Sequence, residues 1–443
     1  MTESVVPATT PSHLPRRLAI CYYGWDWITS ALPDEPYGDL DRALAETRER
    51  GFNCVRPEIG LGLLYDWEGK RRGPLEFASW IPGASENLHC VNGRGGGVHD
   101  LLDRVLLLFD LAAKHDLYII GTTWLYQDFV AQVADPALRA EILGLPYNER
   151  LPMLARQWDL LLNELERRDL AGRLVLAEVI NEITYTPVYD PEGSAPAHPT
   201  IDDWVQERNP APDHAFLRRL GEEAVVFLRE RHPDVLVTVD LGSSHEFETT
   251  LPGSAQVADH HVYTEGVTQA FYAAAGLASW SAGSAPDMSN ELLLSVLKPD
   301  VMPWEELCRR TDRVRATWRR IGWLYHNLDN RKFDDWCLAH FEEHREAIRA
   351  SATSAFATAE AFARPRGLPL IVDEGYIFYP PLGSRLVTTP EGRWGEEVCV
   401  DAAIATGHWG IIVSGYFRPN TPVWHDDDQC DWMRGLSRRI LAS

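Results

Sequence analysis

Leu174-Val-Leu-Ala-Glu178-Val-Ile-Asn181-Glu182 is a short, nearly unbroken apolar run that ends on an acid. Its length and continuity predict a strand buried on both faces, which belongs in a parallel sheet. A second run of the same design, Pro369-Leu-Ile-Val-Asp373-Glu374-Gly375, also stops on acids. In a parallel barrel the C-terminal strand ends open into the mouth, so an acid placed there is available for chemistry. Either acid alone reads equally well as a solvated loop residue. Together they predict two carboxyls facing one cleft.

Working outward, short apolar runs alternate with amphipathic stretches, the pattern of a parallel sheet with crossover helices. The runs are Leu18–Tyr23, Cys54–Pro57, Tyr118–Thr122, Leu174–Asn181, Val235–Asp240, Gln256–His261, Pro369–Asp373 and Gly410–Ser414. Helices are expected at Asp39–Arg50, Val98–His115, Leu151–Asp169, His214–Arg231 and Phe341–Ala363. In the second of these, Leu101, Leu102, Val105, Leu106 and Phe109 line up on one face. Eight strands with helices between them predict an α/β fold, a closed (β/α)8 TIM barrel rather than a doubly wound open sheet.

Long loop insertions are expected after strands two and six. The first, Gly60 to Gly97, ends in Asn92-Gly-Arg-Gly-Gly-Gly97. It lacks the strand and spacing of a dinucleotide fingerprint and reads as a flexible loop. The second, 264–368, is mostly helical and carries Trp280, Trp304, Trp318, Trp323 and Trp336, so it reads as a lid or subsite wall. The expected division is an N-terminal extension over 1–16, one catalytic barrel domain over 17–425 and a C-terminal helix or tail over 426–443.

The 443-residue chain carries 42 Lys and Arg against 65 Asp and Glu, a net charge of −23 spread along its length. Nucleic acid and anionic membranes repel such a chain, whereas a neutral sugar does not. At 45% hydrophobic residues there is material for a large core. Met1 to Arg17 shows no secretion signal, and no stretch approaches the roughly 20 apolar residues of a membrane span. The seven cysteines have no Cys-x-x-Cys spacing, and Cys21, Cys54 and Cys399 lie in apolar surroundings. A reduced, cytoplasmic protein is the expectation. Sixteen tryptophans offer faces for sugar rings, although most are expected to pack the core.

Cleaving a glycosidic bond asks for one carboxylic acid to protonate the leaving oxygen. A second, ionised carboxylate attacks the anomeric carbon or activates water. The two need different pKa values, so a cation beside one of them matters as much as the acids do. Gly51-Phe-Asn-Cys-Val-Arg56-Pro57 and Glu178-Val-Ile-Asn181-Glu182 resemble the second and fourth strands of clan A glycoside hydrolases, most closely the cellulase-like family 5. His261-Val-Tyr263 and Asp373-Glu374-Gly375 match that family's sixth and seventh strands, and Ala112–Ile120 looks like the approach to its third. The resemblance covers residues 17 to 420 in the right order.

The resemblance implies a retaining β-glycoside hydrolase without metal or organic cofactor. Glu182 would be its general acid/base and Glu374 its nucleophile. Asn181 would bond the sugar 2-hydroxyl, Arg56 and Tyr263 would hold Glu374, and His261 would lie near Glu182. From the strand period alone, Glu178 should face the barrel interior with Glu182 and support a cation such as Arg56. The chain departs from the pattern in three places. Ile183 follows Asn-Glu instead of proline, Thr122-Thr-Trp124 replaces a histidine, and Gly415-Tyr416-Phe417 replaces a tryptophan platform. Trp124 or Tyr416 would then stack on the sugar. On the first strand Trp25, Asp26 and Trp27 are candidates for the floor of the site, or for a cap on the core. Two other readings stay open. One is a metal-dependent hydrolase built on Asp259-His260-His261 or His425-Asp-Asp-Asp428; the other is a barrel that binds carbohydrate without cleaving it. Without a secretion signal, a soluble oligosaccharide or small glycoside is the expected substrate rather than an insoluble polymer.

Overall fold

The computed structural model describes residues 10–24, 26–78, 87–88, 91–92, 95–123, 133–185, 213–264, 266–277, 285–310, 316–376, 380–381 and 383–443. Among them the predicted barrel strands are Leu18–Gly24 (β1), Cys54–Pro57 (β2), Tyr118–Gly121 (β3), Leu174–Glu178 (β4), Leu236–Thr238 (β5), Ala258–Tyr263 (β6), Leu370–Tyr376 (β7) and Gly410–Ile412 (β8). They pair in parallel in the order β6-β7-β8-β1-β2-β3-β4-β5. The ring closes between β5 and β6, where the Gln256 N–H donates to Val237 O and the His261 N–H to Leu241 O, both at 3.1 Å. Every residue of β1, β2, β4, β5 and β8 is buried. That double burial is what the unbroken apolar runs require.

Outside the strands lie Leu40–Glu49 (α1), Leu101–Lys114 (α2), Tyr147–Arg167 (α3), His214–Arg231 (α4), Asn330–Ala363 (α5), Pro390–Ala405 (α6) and Asp427–Ala442 (α7). Most are started by a side chain that accepts from a first-turn N–H: Asp39, Asp100, Asp213, Asp329, Thr389 and Asp426. Each such cap stabilises its helix by about 1 kcal/mol. Between β5 and β6 the crossover shrinks to a helical turn, Phe247–Thr250. The expected C-terminal tail is α7, which buries Cys430, Met433, Leu436 and Ile440 in the barrel's hydrophobic core.

The segment between β6 and β7 has a hydrophobic core of its own. Phe271, Leu293, Trp304, Trp323, Phe333 and Phe341 pack there, with Trp336 against them. Helix α5 serves both cores: Phe333, Cys337 and Phe341 face the second, while Ala352, Phe356 and Ala359 face the barrel. Trp304, Trp323 and Trp336 therefore pack this second core; Trp280 and the side chain of Trp318 lie outside the described residues. The described cysteines are free, and Cys21, Cys54 and Cys399 are buried. Among the described residues no helix is long and apolar enough to cross a membrane.

One packing contact positions the end of β4. Trp158 on α3 is fully buried and donates its indole N–H to Glu178 O at 3.1 Å. On β3 a side chain at Gly121 would come within 2.7 Å of the same ring. Trp158→Ala is expected to cost about 3–5 kcal/mol of unfolding free energy, read from urea denaturation with an unchanged slope.

Candidate active site

Arg56, on β2, is fully buried under the mouth of the barrel. Its Nη1 donates to Glu374 Oε2 at 3.0 Å. Its Nη2 reaches Glu178 Oε2 at 2.9 Å, Asn181 Oδ1 at 2.6 Å and Asp240 Oδ2 at 3.2 Å, and its Nε pairs with Asp373. A planar fork of N–H donors suits several carboxylates arranged around it. Strands β4, β5 and β7 thus supply acids to one cation carried on β2.

Two consecutive acids, Asp373 and Glu374, reach the same guanidinium because the β6–β7 ladder slips. His260 lies opposite Val372, but His261 lies opposite Glu374. Strict alternation would send these neighbours to opposite faces, and an extra residue in the ladder removes that constraint. Just beyond, Gly375 has φ 151°, and a Cβ there would stand 2.3 Å from Val262 O, so the backbone there requires glycine.

His261 joins the two candidate catalytic acids. Its Nδ1 lies 2.8 Å from Glu182 Oε1, and its Nε2 lies 2.8 Å from Asp240 Oδ2 and 3.4 Å from Glu374 Oε2. Burial opposes a charge on the ring, but Asp240 and Glu374, with the bonds to Asp240 and Glu182, outweigh it and hold the pKa well above the ordinary histidine value. The surrounding carboxyls favour the protonated ring. Burial pushes Glu374 above the ordinary carboxylate range, and His261 and Arg56 pull part of that shift back. Both acids keep an opening to solvent, with side chains 20% exposed for Glu182 and 14% for Glu374.

Glu182 sits in a left-handed turn, φ 45°, rather than on an extended strand. Such a conformation costs a non-glycine residue roughly 1 kcal/mol. The turn is held by Asp240 Oδ2, which accepts from the Glu182 N–H at 3.3 Å, and by the Tyr185 N–H, which donates to Glu182 O at 2.8 Å.

Below Arg56 lies a group of buried acids. Glu178, Asp259 and Asp373 are fully buried with carboxyl oxygens close to one another, an arrangement that favours protons held among them. Burial, and then the neighbouring acids, raise Asp259 well above the ordinary aspartate value. At Glu178 burial is the largest influence and raises the pKa, but Arg56 together with the adjoining Asp373, Asp259 and Thr122 lowers it overall. Glu178, Asp259 and Asp373, and separately Asp240, His261 and Asp373, each bring ligand atoms within 4.8 Å of one another. Their oxygens would suit a hard cation, but the Arg56 guanidinium already pairs with Glu178, Asp240 and Asp373. A proton that folded Asp259 keeps and the unfolded chain loses makes stability fall as pH rises above the ordinary aspartate pKa, by about 1.4 kcal/mol per unit. Asp259→Asn is expected to flatten the fall in Tm between about pH 5 and 8 and to match or exceed wild type at the upper end.

Glu182, Glu374, Asn181, Arg56 and His261 are brought together. The Tyr263 hydroxyl lies 3.5 Å from His261 Nδ1, at the edge of the same group. Trp27 does not floor the site. It is fully buried, gives its N–H to Glu58 O at 2.7 Å and packs the core. Tyr416 is half-buried against the core, with its hydroxyl on Pro381 O at 3.1 Å. Trp25, the Asp26 side chain and Trp124 lie outside the described residues. Neither expected metal cluster assembles. His260 turns away from His261, its Nε2 3.0 Å from His408 Nε2, and burial lowers its pKa to about 3. In the other run Asp426 caps α7, accepting from the Gln429 N–H at 3.0 Å. Asp240 was missed as a site residue, although it stands at a strand end like Glu374.

No known protein family and no curated protein matches the sequence. Solved structures do match it. A Parabacteroides distasonis ATCC 8503 protein, provisionally named a glycoside hydrolase, aligns with a TM-score of 0.65 at 15% identity, over 96% of this chain and 94% of its own. The exo-β-1,4-mannosidase Op5Man5 from Opitutaceae bacterium strain TAV5 aligns with a TM-score of 0.51 at 12% identity, over 99% of this chain and 62% of its own. At such identities the likeness shows the fold alone, a (β/α)8 barrel.

Proposed function

We propose that this chain is a retaining β-glycoside hydrolase acting on an oligosaccharide or small glycoside, with Glu182 as general acid/base and Glu374 as nucleophile. One observation carries the reading. Arg56 and His261 grip Glu374 from two sides, while the other nitrogen of His261 holds Glu182. Two carboxyls are thus placed on either side of one imidazole ring, both open to one cleft, which is the arrangement a double displacement uses. The fold shared with proteins named as glycosidases supports it.

In the first step a Glu374 oxygen bonds the anomeric carbon as the C–O bond to the leaving group breaks, and Glu182 gives its proton to the departing oxygen. His261 Nδ1 lies 2.8 Å from Glu182 Oε1, close enough to orient that carboxyl toward the departing oxygen. In the second step water bonds the anomeric carbon, Glu374 departs, and Glu182 takes the water's proton. Arg56 fixes the Asn181 amide through its oxygen, which orients the amide for the sugar 2-hydroxyl.

The test is a panel of aryl β-glycosides (glucoside, mannoside, galactoside, xyloside and cellobioside), with products followed by proton NMR. Turnover of at least one, with the β-anomer appearing first, is expected. An α-anomer appearing first contradicts the double displacement. No turnover, with oligosaccharide binding seen in a calorimeter, moves the reading to a sugar-binding barrel.

A further inference from the structure

Tyr185 stands out three residues beyond Glu182. It is 59% exposed, whereas Ile180 and Ile183 before it are fully buried. Its backbone N–H closes the Glu182 turn at 2.8 Å, so the ring and the acid are the two ends of one turn. The ring rests on the bare backbone of Gly242. A Cβ there would lie 2.5 Å from Tyr185 Cε2 and 3.3 Å from Glu182 Oε1. A single point therefore touches both the aromatic edge and the acid's oxygen.

We infer that Tyr185 is the platform for the leaving-group sugar, and that the substrate carries a pyranose ring on that side of the cleaved bond; this rests on the glycosidase reading above. The general acid protonates the leaving oxygen, so the leaving group must lie against the Glu182 carboxyl. Among the described residues Tyr185 flanks this carboxyl with an open aromatic face, and the apolar C–H face of a sugar stacks on such a ring. At the edge, Glu246 is half-buried and accepts from Thr184 Oγ1 at 3.0 Å. It adds an acceptor for sugar hydroxyls, so the wall combines an apolar face with a polar rim. The absence of a side chain at Gly242 is what lets the ring sit this close to the acid.

The experiment compares kcat/KM on a β-linked disaccharide and on the β-glycosyl fluoride of the same glycone, which has no leaving-group ring. Tyr185→Ala is expected to lose about 10- to 100-fold on the disaccharide and to stay within about twofold on the fluoride. Tyr185→Phe, which keeps the face and loses the hydroxyl, should hold both values. Equal losses on the two substrates, or no loss on the disaccharide, overturn the assignment. Wild type that cleaves neither overturns the glycosidase reading itself, and the platform with it.

Discussion

Glu374→Ala lowers kcat on the best aryl β-glycoside by about 10⁵-fold, and azide restores turnover as the α-glycosyl azide. The nucleophile takes part in both steps, so its loss leaves water or azide to attack from the face that the carboxylate had occupied. An α-configured product follows from that geometry. Glu182→Ala behaves differently, since the acid matters only as far as the leaving group needs a proton. It is expected to lose about 10²–10⁴-fold on a poorly activated phenol and much less on a dinitrophenol. Its azide product has the β-configuration, because the glycosyl intermediate still forms on Glu374. A matching loss in both variants, with no rescue of either, would contradict these roles.

Arg56→Met is the most damaging change expected for the fold. The side chain is fully buried and pairs with Glu178, Asp240, Asp373 and Glu374. Removing one partner of a buried ion pair costs about 3–5 kcal/mol, since the remaining charge has neither water nor counter-charge. Here four carboxyls are left with His261 as the nearby cation. Urea unfolding is expected to show a loss of at least that size. Adding Glu178→Gln and Asp373→Asn to Arg56→Met should recover a large part of it, because neutral amides have no charge to leave unpaired. Arg56→Lys should retain more stability than Arg56→Met yet remain poorly active, as one ammonium cannot reproduce a fork that touches several acids. A triple variant no more stable than Arg56→Met would show that the loss comes from packing instead.

The barrel was legible because burial on both faces leaves a plain mark: the Leu174 and Pro369 runs fall on β4 and β7. The helix His214–Arg231 was readable to the residue, with Asp213 as its cap. Helix α5 was read only from Phe341, whereas it starts at Asn330. Its first third packs a separate core, so the side chains change partners partway along and no single face repeats. Strand-end position pointed to Glu182 and Glu374; Arg56, Asn181 and His261 joined them only through the motif resemblance. The role of Asp373 was not legible, because alternation places it opposite to Glu374 and only the slipped β6–β7 register brings both to Arg56. Trp27 shows the converse error. Its place after β1 suggested the mouth, but the short helix Asp26–Thr29 turns it into the core.

The claim beneath all of this is that Glu374 forms a covalent bond to the sugar. Incubation with an activated 2-deoxy-2-fluoro β-glycoside of the preferred sugar, followed by intact and peptide mass measurement, tests it directly. The fluorine slows breakdown of the glycosyl-enzyme more than its formation. The predicted result is one fluoroglycosyl group per chain, on the peptide that contains Glu374, with activity lost in step with labelling. Continued turnover of the parent glycoside without such an adduct, or an adduct on any other residue, would contradict the account.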